Sequence, residues 1–162
     1  MGRILDWKNL SAEVARLRAD GKKIVFTNGC FDIIHIGHIR YLKEAKKLGH
    51  VLIVGLNSDL SVKKLKPNRP INTETHRAEV LASIEMVDYV TIFDEDTPYE
   101  LIKFLRPHVL VKGGDWKEED IIGSDIVSEV YSLPYVHGIS TTEIISKIIS
   151  NNKAQMTKRI KQ

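Results

Sequence analysis

A strand, a glycine turn and a helix in immediate succession constrain this chain more than any other feature. The apolar run Ile24-Val25-Phe26 leads into Thr27-Asn28-Gly29-Cys30-Phe31-Asp32, and the stretch from Ile36 to Ala45 then takes up helical spacing. In such a unit the carboxyl end of the strand meets the amino end of the helix. Backbone N–H groups and the positive end of the helix dipole point at that junction and favour an anion there. His35 and His38 are three residues apart, so at the helix start they share one face. Together they suit successive phosphate oxygens, and the stretch reads as a nucleotide-triphosphate site.

The rest of the chain extends this unit into a layered fold. Val51-Leu52-Ile53-Val54-Gly55-Leu56 is an unbroken apolar run, as expected of a strand buried on both faces. Two such strands joined by the Ile36–Leu48 helix make a right-handed βαβ unit. Tyr89–Phe93 and Val109–Val111 supply a third and fourth strand, and Tyr135-Val136 a short last one. Further helices are expected over Ala12–Arg18, capped near Ser11, over Thr73–Glu85, and from Pro98 to about Arg106, with Thr97 as the cap. Two more are expected over roughly Glu118–Glu129 and over Glu143–Ser150. The alternation implies an α/β fold, a three-layer sandwich around a parallel sheet. At 162 residues the chain is expected to be a single domain, 1–162, with 1–21 an added N-terminal helix and 151–162 a basic tail.

Composition removes several alternatives. A net charge of +3 suits anionic small substrates, and no dense Lys/Arg run with interleaved aromatics argues for nucleic acid. Cys30 is the single cysteine, so no internal disulfide forms, and a zinc site built on it lacks a second thiol and a fourth ligand. Neither G-x-G-x-x-G nor G-x-x-x-x-G-K-[ST] occurs, which speaks against a dinucleotide fold and a P-loop enzyme. No stretch could span a bilayer and the amino terminus has no apolar run of signal length, so a cytoplasmic protein without membrane association is expected.

Gly29-Cys30-Phe31-Asp32 followed by His35-Ile36-Gly37-His38 resembles the HxGH signature of the nucleotidyltransferase superfamily, in its cytidylyltransferase-like branch. Ile139-Ser140-Thr141-Thr142 resembles the I-S-T-T segment of the same branch, and the likeness runs from about Lys22 to Ile149. The resemblance implies a Rossmann-like five-stranded parallel sheet in the order 3-2-1-4-5. It also implies catalysis by positioning and charge neutralisation, without a covalent nucleophile. Within the branch, several segments are similar to enzymes that transfer AMP from ATP to D-glycero-D-manno-heptose 1-phosphate. Such enzymes release pyrophosphate and make ADP-heptose for lipopolysaccharide and other surface glycans. Transfer of CMP to glycerol 3-phosphate or another small alcohol phosphate is the alternative. The resemblance further implies Mg²⁺ accompanying ATP, a homodimer, and a heptose kinase carried by a separate chain.

The same resemblance assigns roles. His35 and His38 stabilise the charge that builds on the α-phosphate, and Lys66 joins them as a catalytic candidate. Lys63, Lys64 and Lys66 resemble a basic loop folded over the triphosphate, although Leu65-Lys66-Pro67-Asn68-Arg69-Pro70 lacks the glycine that similar enzymes carry after Leu-Lys. Thr27, Asn28 and Gly29 lie beside the phosphates, with Phe31 next to them. Asp32 either orients a neighbouring group or holds Mg²⁺, and no set of protein ligands for a resident metal is expected. Arg69 and Arg77 are candidates for phosphate, since a guanidinium binds two oxygens at once. Lys112-Gly113-Gly114-Asp115 flanks the nucleoside, the paired glycines leaving room for a purine. Ser140, Thr141 and Thr142 either receive phosphate oxygens or serve as an ordinary helix cap.

Overall fold

The computed structural model describes residues 1–134 and 138–160, with side chains described up to residue 152. In chain order the elements are β1 (Arg3–Ile4), α1 (Trp7–Ala19), β2 (Ile24–Gly29), α2 (Ile36–Lys46), β3 (Val51–Asn57), α3 (Asp59–Leu65) and α4 (Glu74–Ala82). Then come β4 (Tyr89–Phe93), α5 (Tyr99–Leu105), β5 (Val109–Gly113), β6 (Glu129–Leu133) and α6 (Thr141–Ile160).

The strands form one parallel sheet in the order β1-β4-β3-β2-β5-β6. The expected order is present as β4-β3-β2-β5-β6, and β1 adds a sixth strand at the far edge, pairing Arg3 with Tyr89. Strand period decides which layer each side chain enters. Ile24 and Phe26 of β2, Ile53 of β3 and Leu110 of β5 meet Leu10, Val14 and Leu17 of α1 and Leu101, Ile102 and Leu105 of α5. Val25, Leu52, Val54, Val109 and Val111 face the other way, onto Leu42 and Ala45 of α2 and Ala78, Leu81 and Ala82 of α4. Helices thus cover both faces, which is what continuous apolar strands require.

Several local expectations are corrected. Helix α1 starts at Trp7, earlier than Ala12, because the Asp6 carboxylate caps it by accepting from the Asn9 N–H at 2.7 Å. Pro98 occupies the cap position of α5, and Thr97 does not cap it through its side chain. The helix expected over 118–129 is a single 3₁₀ turn at Glu118–Asp120. Gly123, at φ +93°, breaks it, and a Cβ there would meet Ile102 Cδ1 at 2.7 Å. The chain then turns into β6, whose Val130 and Tyr131 pair with Leu110 and Val111. The strand expected at Tyr135-Val136 lies outside the described residues. Helix α6 begins at Thr141 and continues through the basic tail to Ile160.

At the end of the sheet opposite the histidine turn, two imidazoles hold the start of β2. His50 Nδ1 accepts from the Lys23 N–H at 2.9 Å, and His108 Nδ1 from the Ile24 N–H at 3.0 Å. Burial, then the charges of Arg18 and Lys23, hold the His108 imidazole below its ordinary pKa despite Glu129 nearby.

Candidate active site

The carboxyl end of β2 and the amino end of α2 open into a cavity of about 780 Å³. His35 occupies the cap position of α2 in an extended conformation, and its backbone N–H donates to His38 Nδ1 at 3.4 Å. The two imidazoles stack with their centroids 3.8 Å apart. Their spacing at the helix start accounts for this, and Gly37 permits it: a Cβ there would lie 2.9 Å from both Cε1 and Nδ1 of His35. His35 Nδ1 is buried and has no hydrogen-bond partner among the described residues.

The electrostatics suit an anion. Burial, then the neighbouring His35 and Lys66, pushes His38 down to about 4, so at neutral pH it is uncharged. Burial also lowers His35, opposed by Glu143. Lys112, at the end of β5, is held below the usual lysine range by burial, and its Nζ donates to Asn28 Oδ1 at 3.3 Å. In each of these shifts burial is the largest cause, with neighbouring cations adding to it at His38 and Lys112.

Many of the residues singled out from sequence come together here. Asn28, Gly29, Phe31, Asp32, His35, His38, Lys66, Arg69, Lys112, Gly113, Ser140, Thr141 and Thr142 all line the cavity. Phe31 also belongs to the core, 6% exposed, with its ring 5.2 Å from that of His38. Ser140 caps α6, its hydroxyl accepting from the Glu143 N–H at 3.1 Å, while the Thr141 hydroxyl donates to Ile33 O at 3.3 Å. The cap and the cavity wall are therefore the same residues.

Others stand elsewhere. Thr27 is fully buried, its hydroxyl 2.6 Å from that of Tyr41. Lys63 is exposed on α3, and Lys63, Gly114 and Asp115 do not line the cavity. Arg77 is 1% exposed and serves as a strut: Nε donates to Asn72 O, one terminal nitrogen to Cys30 O and the other to Asp59 Oδ1 at 2.8 Å. Its guanidinium is engaged by protein oxygens and does not face the cavity.

Asp32 resolves between its two readings on geometry. Its carboxylate accepts from Arg69 Nε at 2.5 Å and from the N–H groups of Ile71 and Asn72 at 2.9 Å. Burial alone would raise its pKa, but the Asn72 and Ile71 N–H groups and Arg69 more than offset that and hold it low. With both oxygens engaged, Asp32 anchors the 69–72 loop to the histidine turn and is not disposed to hold Mg²⁺. Among the described residues, no group of three His, Cys, Asp or Glu side chains could hold a metal ion.

Sequence reasoning missed other wall residues. Tyr41 lies three residues beyond His38, one helical turn along the same face, and that spacing was the available signal. Asn57, Asp96, Thr97, Ile122 and Pro134 also line the cavity, brought there by strand order alone.

Known proteins resemble this chain in sequence and in fold. A family model described as Cytidylyltransferase-like matches residues 26–147. Bifunctional protein HldE of Aliarcobacter butzleri is 56% identical over 151 residues, covering 93% of this chain and 32% of that protein. Bifunctional protein HldE of Campylobacter jejuni subsp. doylei is 61% identical over 133 residues, 82% of this chain and 29% of that protein. The chain spans about a third of the length of these curated relatives. Among solved structures, a lipopolysaccharide core biosynthesis protein from Thermoplasma volcanium matches with a TM-score of 0.62 and 29% identity, covering 72% of this chain and 99% of that one. A pantoate-beta-alanine ligase from Francisella tularensis, complexed with beta-gamma ATP and beta-alanine, shares the fold: TM-score 0.59, 18% identity, 89% of this chain and 76% of that one.

Proposed function

The chain belongs to the cytidylyltransferase-like family, and on that premise we propose that it transfers AMP from ATP to D-glycero-D-manno-heptose 1-phosphate. The products are pyrophosphate and ADP-heptose, a precursor of lipopolysaccharide and related surface glycans. The observation that carries this reading is the stacked pair His35 and His38 at the start of α2, in one cavity with Lys66, Arg69 and Lys112. The Thermoplasma relative's description as a lipopolysaccharide core biosynthesis protein supports the pathway. The word bifunctional in the names of longer relatives fits a chain carrying one of two activities.

In the proposed reaction a phosphate oxygen of the sugar attacks the α-phosphorus of ATP. The bond from that phosphorus to the bridging oxygen of the β-phosphate breaks, and pyrophosphate leaves with the electron pair. No residue is acylated or phosphorylated. His35 and His38 meet the charge that develops on the α-phosphate oxygens, while Lys66, Arg69 and Lys112 hold the remaining phosphates. The nucleoside lies toward Gly113 and the start of α6. Mg²⁺ enters with ATP, as part of the substrate complex, held mainly by the triphosphate and water.

We further propose a cytoplasmic homodimer whose acceptor is supplied by a heptose kinase. Among the described residues, no helix is long and apolar enough to cross a membrane. Light scattering at micromolar concentration tests the dimer, and an 18.4 kDa species alone would count against it. The function is tested by pyrophosphate release from ATP or CTP with heptose 1-phosphate or glycerol 3-phosphate. ATP is expected to exceed CTP at least about tenfold in kcat/KM with the heptose, roughly 1.4 kcal/mol. A preference for CTP with glycerol 3-phosphate would overturn the assignment.

A further inference from the structure

Three polar residues of the cavity wall have no part in the chemistry above. Asn57 ends β3, Asp96 and Thr97 sit in the loop between β4 and α5, and all three line the cavity of His35 and His38. Strand order puts β3 and β4 on one side of β2, and β5 and β6 on the other. The histidine turn at the end of β2 therefore divides the cavity in two. The half beside β5, walled by Lys112, Gly113, Ile122 and Pro134, holds the nucleoside in the reading above. The half beside β3 and β4 remains for the second substrate.

That half differs in chemistry from the rest. The phosphate region is lined by histidines, Lys66, Arg69 and Lys112, and an open carboxylate there would repel the anions it must hold. The Asp32 carboxylate is covered by Arg69 and backbone N–H groups, and Glu143 sits in the first turn of α6, where the helix dipole suits it. Asp96 is different. Its side chain is 71% exposed, its Oδ1 accepts from Lys64 Nζ at 2.9 Å, and among the described residues nothing donates to its Oδ2.

Asn57 is 4% exposed, and its Nδ2 donates to Ser61 Oγ at 2.9 Å. Among the described residues nothing donates to its Oδ1. Ser61 Oγ donates in turn to Glu95 O at 3.1 Å, which ties the 94–98 loop to the end of β3. A carboxylate, an amide and a hydroxyl are thus carried on segments joined through Ser61. Neutral hydroxyl donors match such acceptors and meet no charge repulsion from Asp96.

We propose that Asn57, Asp96 and Thr97 form a specificity wall that reads the hydroxyl groups of a polyhydroxylated acceptor phosphate. The proposal rests on the reading above that places the nucleoside on the β5 side. Its alternative is that Asp96 serves only the ion pair with Lys64.

The test is calorimetric binding of ethyl phosphate, glycerol 3-phosphate, mannose 1-phosphate and heptose 1-phosphate, in the presence of a non-hydrolysable ATP analogue. Wild-type affinity is expected to rise with hydroxyl number. Asp96→Asn is expected to weaken the two sugar phosphates about tenfold, on the scale of a hydrogen bond to a charged group. Ethyl phosphate and the ATP analogue should bind as before. Lys64→Ala removes the same ion pair but keeps the carboxylate, so the hydroxyl preference should survive, and Thr97→Val should shrink it. The proposal is overturned if Asp96→Asn weakens every phosphate equally or none, weakens the ATP analogue, or is matched by Lys64→Ala. Because the readout is binding, the two readings fail separately. Wild type that ranks acceptors by hydroxyl number yet forms no ADP-heptose would sink the proposed reaction and leave the wall standing.

Discussion

Gly37→Ala should separate stability from turnover. Gly37 lies in the first turn of α2, where alanine is the better helix former by up to about 1 kcal/mol. On helix propensity alone the variant would melt up to about 4 °C higher, the scale for a chain of this size. The new Cβ, however, would stand 2.9 Å from Cε1 and Nδ1 of His35 and 3.5 Å from Ile139 Cγ2. The imidazole is the softer neighbour, so it should move by roughly half an ångström, the gap to an ordinary contact. That shift disturbs its stacking on His38, centred at 3.8 Å, and its aim into the cavity. Misplacement on this scale should lower kcat by about 10²-fold, the order found for ångström-level errors in a reacting geometry. The assay pairs thermal unfolding with pyrophosphate release at saturating ATP and heptose 1-phosphate. Wild-type kcat in a folded Gly37→Ala protein would refute the argument that this glycine sets the position of His35. A large drop in melting temperature would also refute it, by showing that the backbone yields instead of the ring.

His38→Ala should fold normally and lose about two to four orders of magnitude in kcat, the scale of one transition-state electrostatic group. Turnover near that of wild type would remove His38 from the reaction. Asp32→Asn should cost about 2 kcal/mol by leaving Arg69 without its charged partner. Hydrogen exchange at the Ile71 and Asn72 N–H groups should quicken with it, and unchanged exchange would count against the anchor. Stability should also depend on pH with a definite sign. His38 and His108 bind protons less readily folded than unfolded, so their contribution is complete above about pH 6.5 and falls as pH drops, for His38 through about 4. Denaturation midpoints between pH 7.5 and 5 measure the slope. His108→Asn keeps an acceptor for the Ile24 N–H and should make the slope shallower; an unaltered slope would clear His108.

The parts legible in sequence are those whose cause is local. The apolar run Ile24–Phe26 and the three-residue step from His35 to His38 act over a few residues, and both appear as read. The two-residue β1 is too short to carry any period, and its place is set by pairing with β4 far along the chain. Glu118–Glu129 misleads because its composition suits a helix, whereas the φ of +93° at Gly123 and its closeness to Ile102 decide otherwise. Arg77 misleads for the opposite reason. Its charge suggests phosphate, but Cys30 O, Asn72 O and Asp59 reach it from three separate segments, and no spacing rule foretells that. The Asn57 and Asp96 wall was invisible because two loops meet there only once the strands are ordered.

The bond between Asp32 and Arg69 has a consequence for how this fold can be recombined. It makes the histidine turn and the 69–72 loop, 37 residues apart in the chain, one transplantable part. A graft that moves the turn alone brings a carboxylate into a site with no guanidinium waiting. A graft that moves the loop alone strands Arg69 and two backbone N–H groups. Crossovers between relatives therefore belong before Thr27 and after Arg77, so that the histidine turn, the loop it anchors and the Arg77 strut travel together.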